Sequence, residues 1–117
     1  MFTALILDEE SSAKLRARFA KEMAGGKAFC HHVTLAMGER LELVTGEPVS
    51  VRATHFGKVA GRVCAVKVDG ITRKDEKAPH VTLATFWSAK PKESNAIEEW
   101  KELGAPIELT GTVQICN

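Results

Sequence analysis

The chain has 117 residues, of which 44% are hydrophobic and 26% charged, and its formal net charge is +1. This length suits one domain over residues 1–117 and leaves too little chain for two independent cores. The nearly balanced charge argues against a strongly basic nucleic-acid binder and against an acidic tail. A polyanionic substrate would therefore have to be held by local groups.

The three cysteines, Cys30, Cys64 and Cys116, are odd in number and have no C-x-x-C spacing. This pattern argues against a disulfide framework and against a structural zinc site. The first residues lack the basic segment of a signal peptide. No apolar run approaches the roughly 20 residues of a membrane helix. We therefore expect a cytoplasmic protein that does not bind membranes.

The first part of the chain predicts a strand followed by a helix. An apolar run over residues 2–7 is of strand length, and Asp8 after it suits a turn or a helix cap. Residues 11–24 carry apolar side chains at four-residue spacing, which indicates a helix with one buried face. The glycine pair at 25–26 is expected to end this helix.

The middle of the chain predicts two further strands and two connections. Residues 38–46 are expected to form a polar turn or a short helical piece whose leucines face inward. Apolar and polar residues alternate over 48–56 and again over 59–68, which indicates two strands joined by a turn at the Gly-Lys pair 57–58. Residues 70–79 are charged and are bounded by glycine and proline, as is typical of a loop.

The last part of the chain predicts a second helix and a final strand. Asn95 suits a helix N-cap, with a glutamate three residues later. The apolar residues that follow share one helical face: Ile97, Trp100 and Leu103. Gly104 and Pro106 would end this helix. Apolar residues then alternate over 106–116, which predicts a strand.

The pentapeptide His-Val-Thr-Leu-Ala occurs twice, over residues 32–36 and 80–84. Its composition suits a strand, on which successive side chains point to opposite faces. The histidine and the threonine of each copy therefore share one face, and the valine and the leucine share the other and can pack on a core. If the two strands lie side by side about a pseudo-twofold axis, four side chains face one groove: His32, Thr34, His80 and Thr82.

Two histidines in one groove can act together as an acid and a base. Their pKa lies near 6.5, so at neutral pH one imidazole can accept a proton while the other donates one. A phosphodiester between them could be cleaved without a metal ion, with the threonine hydroxyls donating hydrogen bonds to its non-bridging oxygens. Neither copy contains a carboxylate, so the pattern does not indicate a carboxylate metal site.

The motifs His32-Val-Thr and His80-Val-Thr resemble the paired His-x-Thr/Ser motifs of the 2H (two-histidine) phosphoesterase superfamily. The resemblance extends to the doublet His31-His32, to the Lys-Pro-Lys-Glu-Ser-Asn stretch at 90–95 and to the strand that starts at Pro106. These stretches look like the cyclic phosphodiesterase domain of fungal and plant-type tRNA ligases and of related RNA-repair proteins. The likeness covers nearly the whole chain.

The resemblance implies an α+β fold with two pseudo-symmetric lobes, in which antiparallel sheets flanked by two main helices surround a central groove. It also implies a hydrolase that opens 2′,3′-cyclic phosphates to phosphomonoesters and needs neither a metal ion nor another cofactor. Carried over to this chain, His32 and His80 would be the acid/base pair. Thr34 and Thr82 would hold the phosphate.

The expected partner is an RNA end with a 2′,3′-cyclic phosphate or a small cyclic nucleotide, bound by a monomer. The chain has no ligase or kinase region, so the resemblance does not select tRNA as the substrate. Two alternatives stay open. One is a phosphodiesterase that degrades cyclic mono- or oligonucleotide signals, as phage anti-defence enzymes do. The other is a non-catalytic module that binds RNA or a nucleotide.

Several residues near the motifs have secondary roles in these predictions. Lys90 could supply positive charge to a phosphate, and Phe86 could stack a base because alternation puts it on the face of His80. His31 should point to the opposite face of its strand, which favours a structural role. Cys30 is expected to be a buried thiol rather than a nucleophile. Trp87 is expected in the core.

Overall fold

The fold is known from a computed structural model that describes residues 1–42 and 44–117. Residue 43 is one of the leucines predicted to face inward, and it lies outside the described residues. The strands in the described part are β1 Phe2–Leu7, β2 Lys27–Ala28, β3 His32–Met37, β4 Pro48–Val59, β5 Val63–Asp69, β6 His80–Thr85 and β7 Trp100–Cys116. The helices are α1 Glu9–Arg18, α2 Ala20–Met23 and a 3₁₀ turn, Pro91–Ala96.

These strands form a closed antiparallel barrel, which contradicts the predicted α+β fold with two helix-flanked lobes. Six strands follow one another in the order β6-β3-β1-β7-β4-β5, and β5 pairs with β6 again to close the ring. The short β2 adds to the outer edge of β6. The predicted two-lobed arrangement is wrong because each strand of the ring is paired on both sides, so the sheet does not divide into separate lobes.

The predicted second helix does not form, and this is the largest local error of the sequence analysis. Residues 91–96 make only a 3₁₀ turn, and the segment from Trp100 onward is the start of the long strand β7. Trp100 lies opposite Gly57, and Glu102 lies opposite His55. This segment supplies the pairing partner for the end of β4, and such pairing overrides helix propensity.

A glycine that was expected in a turn lies inside a strand instead. Gly57 is part of β4, and a Cβ atom at this position would meet Ile97 Cγ2 at 2.6 Å and Trp100 Cε3 at 2.8 Å. The absence of a side chain therefore lets β7 approach closely. The turn between β4 and β5 is at residues 60–62, where Gly61 has a positive φ of 72°.

The first helix forms as two short pieces rather than one. Asp8 caps α1 by accepting a hydrogen bond of 2.8 Å from the backbone N–H of Ser11. The helix is interrupted at Phe19, which is buried and stacks on Phe56 with ring centroids 5.4 Å apart. No helix in the described part of the chain is long and apolar enough to cross a membrane.

The alternation predicted for the two repeats is confirmed by their burial. The valine and leucine of both copies belong to the hydrophobic core and are at most 1% exposed: Val33, Leu35, Val81 and Leu83. Cys30 is a buried free thiol, as expected. Trp87 is not in the core, because its side chain is 94% exposed and its φ of 56° turns the chain away after β6.

Candidate functional site

The two copies of the repeat lie next to each other on antiparallel strands of the barrel. A single residue pair, Val33 opposite Val81, joins β3 to β6. This pair is equivalent in the two copies, so the pseudo-twofold axis that relates the motifs passes through it. The histidine and the threonine of each copy line one groove with a volume of about 360 Å³. The structure therefore brings together the four side chains that the repeat singled out.

His80 is held with a defined orientation at one side of the groove. The residue is only 9% exposed, and its Nδ1 lies 3.0 Å from the carbonyl oxygen of Ala78. Because a carbonyl can only accept, Nδ1 carries the proton, and Nε2 is the nitrogen left for a ligand. Burial, and to a smaller extent the positive charge of Arg73, lower the pKa of His80. The hydrogen bond to Ala78 and the carboxylate of Asp75 act in the opposite direction.

His32 is the more strongly perturbed histidine of the pair. Its ring is tilted against Phe2, with centroids 5.5 Å apart. Burial first, and then the neighbouring rings of His31 and His80, lower its pKa from 6.5 to about 4. At neutral pH the imidazole is therefore uncharged and can accept a proton from a bound group.

The hydroxyl of Thr82 forms hydrogen bonds with residues of the 3₁₀ turn. Its Oγ1 lies 2.9 Å from Oγ of Ser94, which is buried, and 3.4 Å from the carbonyl oxygen of Pro91. When Ser94 donates in this pair, the proton of Thr82 points to the carbonyl oxygen of Pro91 in a long hydrogen bond. A ligand oxygen in the groove could replace that carbonyl as the acceptor. Thr34 lines the groove on the other strand.

Arg73 is a groove residue that the sequence analysis missed. Its side chain is 6% exposed, and Nε and Nη2 donate to the two carboxylate oxygens of Asp75 at 3.0 and 2.7 Å. Nη1 donates to Oδ1 of Asn95 at 3.2 Å. The guanidinium therefore links the predicted loop 70–79 to the 3₁₀ turn and keeps further N–H groups for an anion. No sequence pattern marks a buried arginine within a charged loop.

The groove is lined by both positively charged and aromatic side chains. Arg73, Lys77 and Lys92 line it together with one carboxylate, that of Asp75. Even without a charge on any histidine, the formal charge of this lining is positive, which favours an anionic ligand. Phe2 and Phe29 also line the groove and provide aromatic surface.

Two residues predicted to contact the substrate lie outside this groove. Lys90 is exposed, and its backbone N–H donates to Oε2 of Glu93 at 2.7 Å. Phe86 lies against Gly26 and borders a different depression. Because β6 ends at Thr85, alternation along the strand no longer applies to Phe86. In the groove itself the lysine of this segment is Lys92.

Because the pKa values of His32 and His80 are lowered, the stability of the fold depends on pH. In the unfolded chain His32 takes up a proton near pH 6.5, whereas in the folded chain it does so only near pH 4. The unfolded chain thus binds more protons in this interval, so stability falls as the pH drops from about 6.5 towards 4. His80 acts in the same direction, because its pKa is also lowered.

We expect urea unfolding at pH 7 and pH 5 to show this loss, with His32 contributing up to about 2 kcal/mol between these pH values. In His32→Phe, which keeps a ring against Phe2, the difference between the two pH values should be smaller. Equal differences in the two proteins would contradict the lowered pKa of His32.

Metal binding has no preformed site in the described residues. Within residues 1–42 and 44–117, no group of three or more His, Cys, Asp or Glu side chains is arranged to hold a metal ion. The chemistry considered below uses the imidazoles, the hydroxyls and the cationic side chains of the groove.

No family model matches the chain, and no curated protein and no solved structure matches it either. Its membership of the 2H superfamily therefore stays a prediction from the repeated motif and the stretches around it. What the protein can do has to be inferred from the residues of the groove.

Proposed function

We propose that the protein is a metal-independent phosphodiesterase that hydrolyses 2′,3′-cyclic phosphates at RNA ends or on nucleotides. The observation that carries this proposal is the presence of both His-Val-Thr motifs in one positively charged groove. A pair of imidazoles can supply both proton transfers that the hydrolysis of a phosphodiester needs. The motif resemblance to 2H phosphoesterases points to the same chemistry.

In the proposed reaction His32 is the general base and His80 the general acid. Nε2 of His32 takes a proton from a water molecule as its oxygen attacks phosphorus. The bond from phosphorus to one ribose oxygen then breaks. The charged form of His80, which carries a proton on both ring nitrogens, gives its Nε2 proton to that oxygen. The low pKa of His32 supports its role as the base. Burial lowers the pKa of His80, but the hydrogen bond from its Nδ1 to Ala78 raises it and so stabilises the charged ring that an acid requires. The negative charge of a bound phosphate would stabilise that ring further.

The remaining groove residues would stabilise the phosphate during this transfer. Thr34 and Thr82 would donate to non-bridging oxygens, and the unused N–H groups of Arg73 could do the same. Lys77 and Lys92 would add positive charge at the rim, and Phe2 and Phe29 would contact the base. Because the chemistry concerns RNA ends or nucleotides and the cysteines are free, we propose that the protein acts in the cytoplasm.

The proposal is tested by incubating the protein with nucleoside 2′,3′-cyclic phosphates in the presence of EDTA. We expect turnover to a nucleoside 2′- or 3′-phosphate, and separation of these products identifies the bond that breaks. If nucleotides are not hydrolysed, short RNAs with a cyclic end and then cyclic dinucleotides and larger cyclic oligonucleotides are the next substrates. Binding without turnover of all of them would favour a non-catalytic nucleotide-binding module.

Two neighbouring lysines provide a matched comparison within this assay. Both lysines are exposed, but Lys92 lines the groove and Lys90 lies outside it. Lys92→Ala is expected to raise KM about 3- to 10-fold, which corresponds to the loss of one partly exposed charged contact of about 1 kcal/mol. Lys90→Ala should leave KM unchanged. The reverse result would restore Lys90 as the substrate contact.

A further inference from the structure

His31 lies on the groove side of the barrel, although alternation along the strand puts it on the opposite face from His32. The two residues are adjacent in the chain, yet both line the groove. Their rings meet edge to face, and the two Nδ1 atoms are 3.1 Å apart. Regular strand geometry does not allow this for consecutive residues. The backbone before His31 must therefore depart from a strand.

The departure occurs at Cys30, which has a φ of 52°. Residues other than glycine rarely adopt this left-handed backbone conformation, so surrounding contacts must hold it in place. The backbone N–H of Cys30 donates to the carbonyl of Thr82 at 3.0 Å, and its own carbonyl accepts from Oγ of Ser12 at 2.7 Å. The residue is fully buried. An unfavourable conformation held by buried hydrogen bonds next to a functional site often serves that site.

The contact between the two Nδ1 atoms constrains where protons can be. Two bare nitrogens with facing lone pairs cannot form a hydrogen bond, so one Nδ1 must carry a proton and the other must accept it. If Nδ1 of His32 donates, then its Nε2 is bare in the neutral ring. If Nδ1 of His31 donates, then Nε2 of neutral His32 carries the proton and cannot act as a base. The contact therefore couples the tautomer of His32 to that of His31.

We propose that His31 is a positioning residue that accepts the Nδ1 proton of His32 and so leaves Nε2 of His32 bare as the general base. The positive charge of Arg73, Lys77 and Lys92 around the groove favours a lone pair over an N–H at this nitrogen. His31 is exposed, so water can bind its own Nε2–H. The catalytic consequence rests on the proposed function, whereas the tautomer does not.

The tautomer is tested directly by ¹⁵N NMR of the histidine side chains at pH 7.5, without substrate. In the wild-type protein we expect the His32 signals of a ring with protonated Nδ1 and bare Nε2. In His31→Ala these signals should move towards a mixture of both tautomers. His31→Asn, whose amide oxygen can also accept, should restore part of the wild-type pattern. A protonated Nε2 in the wild-type protein, or signals unchanged in His31→Ala, would overturn the proposal.

The same variants separate this proposal from the proposed function. If the protein hydrolyses cyclic phosphates, His31→Ala should lower kcat roughly 10-fold with KM little changed, as expected for a residue that orients another. His31→Asn should recover part of the loss. The control is His55→Ala, because His55 is not among the groove residues and contacts Oγ1 of Thr54 at 2.8 Å. If no substrate is hydrolysed, the NMR result still decides the role of His31.

Discussion

Replacement of His32 or His80 by alanine is expected to reduce kcat for cyclic phosphate hydrolysis by about 10² to 10⁴-fold. Each variant removes one of the two proton transfers, so the loss should be large at both His32 and His80. His80 is buried, and His80→Ala also leaves the carbonyl of Ala78 without its donor. His80→Asn is the sharper variant, because its amide N–H can still donate to that carbonyl while the ring is gone.

The measurement is steady-state hydrolysis of a nucleoside 2′,3′-cyclic phosphate with EDTA present, and thermal unfolding serves as the control for folding. His55→Ala, outside the groove, should keep wild-type activity. Retention of activity by a folded His32→Ala or His80→Asn protein would contradict the assignment of these histidines as the acid/base pair. Loss of activity in the His55 control as well would show that histidine replacement acts through the fold.

The second large effect is expected at Gly111, where β7 pairs with β1 and with β4. Gly111 lies opposite Leu7 on one side and Val49 on the other. A Cβ atom here would overlap the carbonyl of Ile6 and would lie 3.1 Å from Cα of Leu7. The neighbours are backbone atoms, which cannot rotate away. We expect Gly111→Ala to lower the free energy of unfolding by about 3 kcal/mol.

Gly104 provides the control on the same strand. A Cβ atom at Gly104 meets no atom within 4 Å, and this glycine has no positive φ. Gly104→Ala should leave the stability unchanged or raise it by up to about 1 kcal/mol, since alanine restricts the unfolded chain. Urea unfolding of both variants gives the comparison. Equal stability of the two proteins would mean that β1 and β7 are not joined at Gly111.

The parts of the fold that sequence could predict are those with a strong local pattern. The first strand, the cap at Asp8 and the charged loop 70–79 follow from apolar runs and turn residues, and all three are confirmed. The two faces of the repeat follow from period-two alternation, and they placed the histidines and the threonines correctly on the groove side. The identity of the two copies predicted their pairing, which the Val33–Val81 contact shows.

The parts that sequence could not predict depend on contacts between distant segments. Residues from Trp100 onward have a short helical pattern, but pairing with the end of β4 decides their structure. No sequence pattern in β5 or β6 indicates that these two strands pair and close the barrel. Arg73 is held in the groove partly by a hydrogen bond to Asn95, a residue of the distant 3₁₀ turn. The position of His31 depends on the backbone of Cys30, and no rule of strand alternation contains such an exception.

The single pair that joins β3 to β6 has a consequence for how the groove is assembled during folding. Val33 and Val81 belong to segments that are far apart in the sequence, with β4 and β5 between them. Contacts of such long separation carry a high entropic cost of loop closure and form slowly. The two motifs therefore cannot meet in a locally folded fragment. If the protein has the proposed activity, its recovery after refolding would report the closing of the ring itself, a late and non-local event.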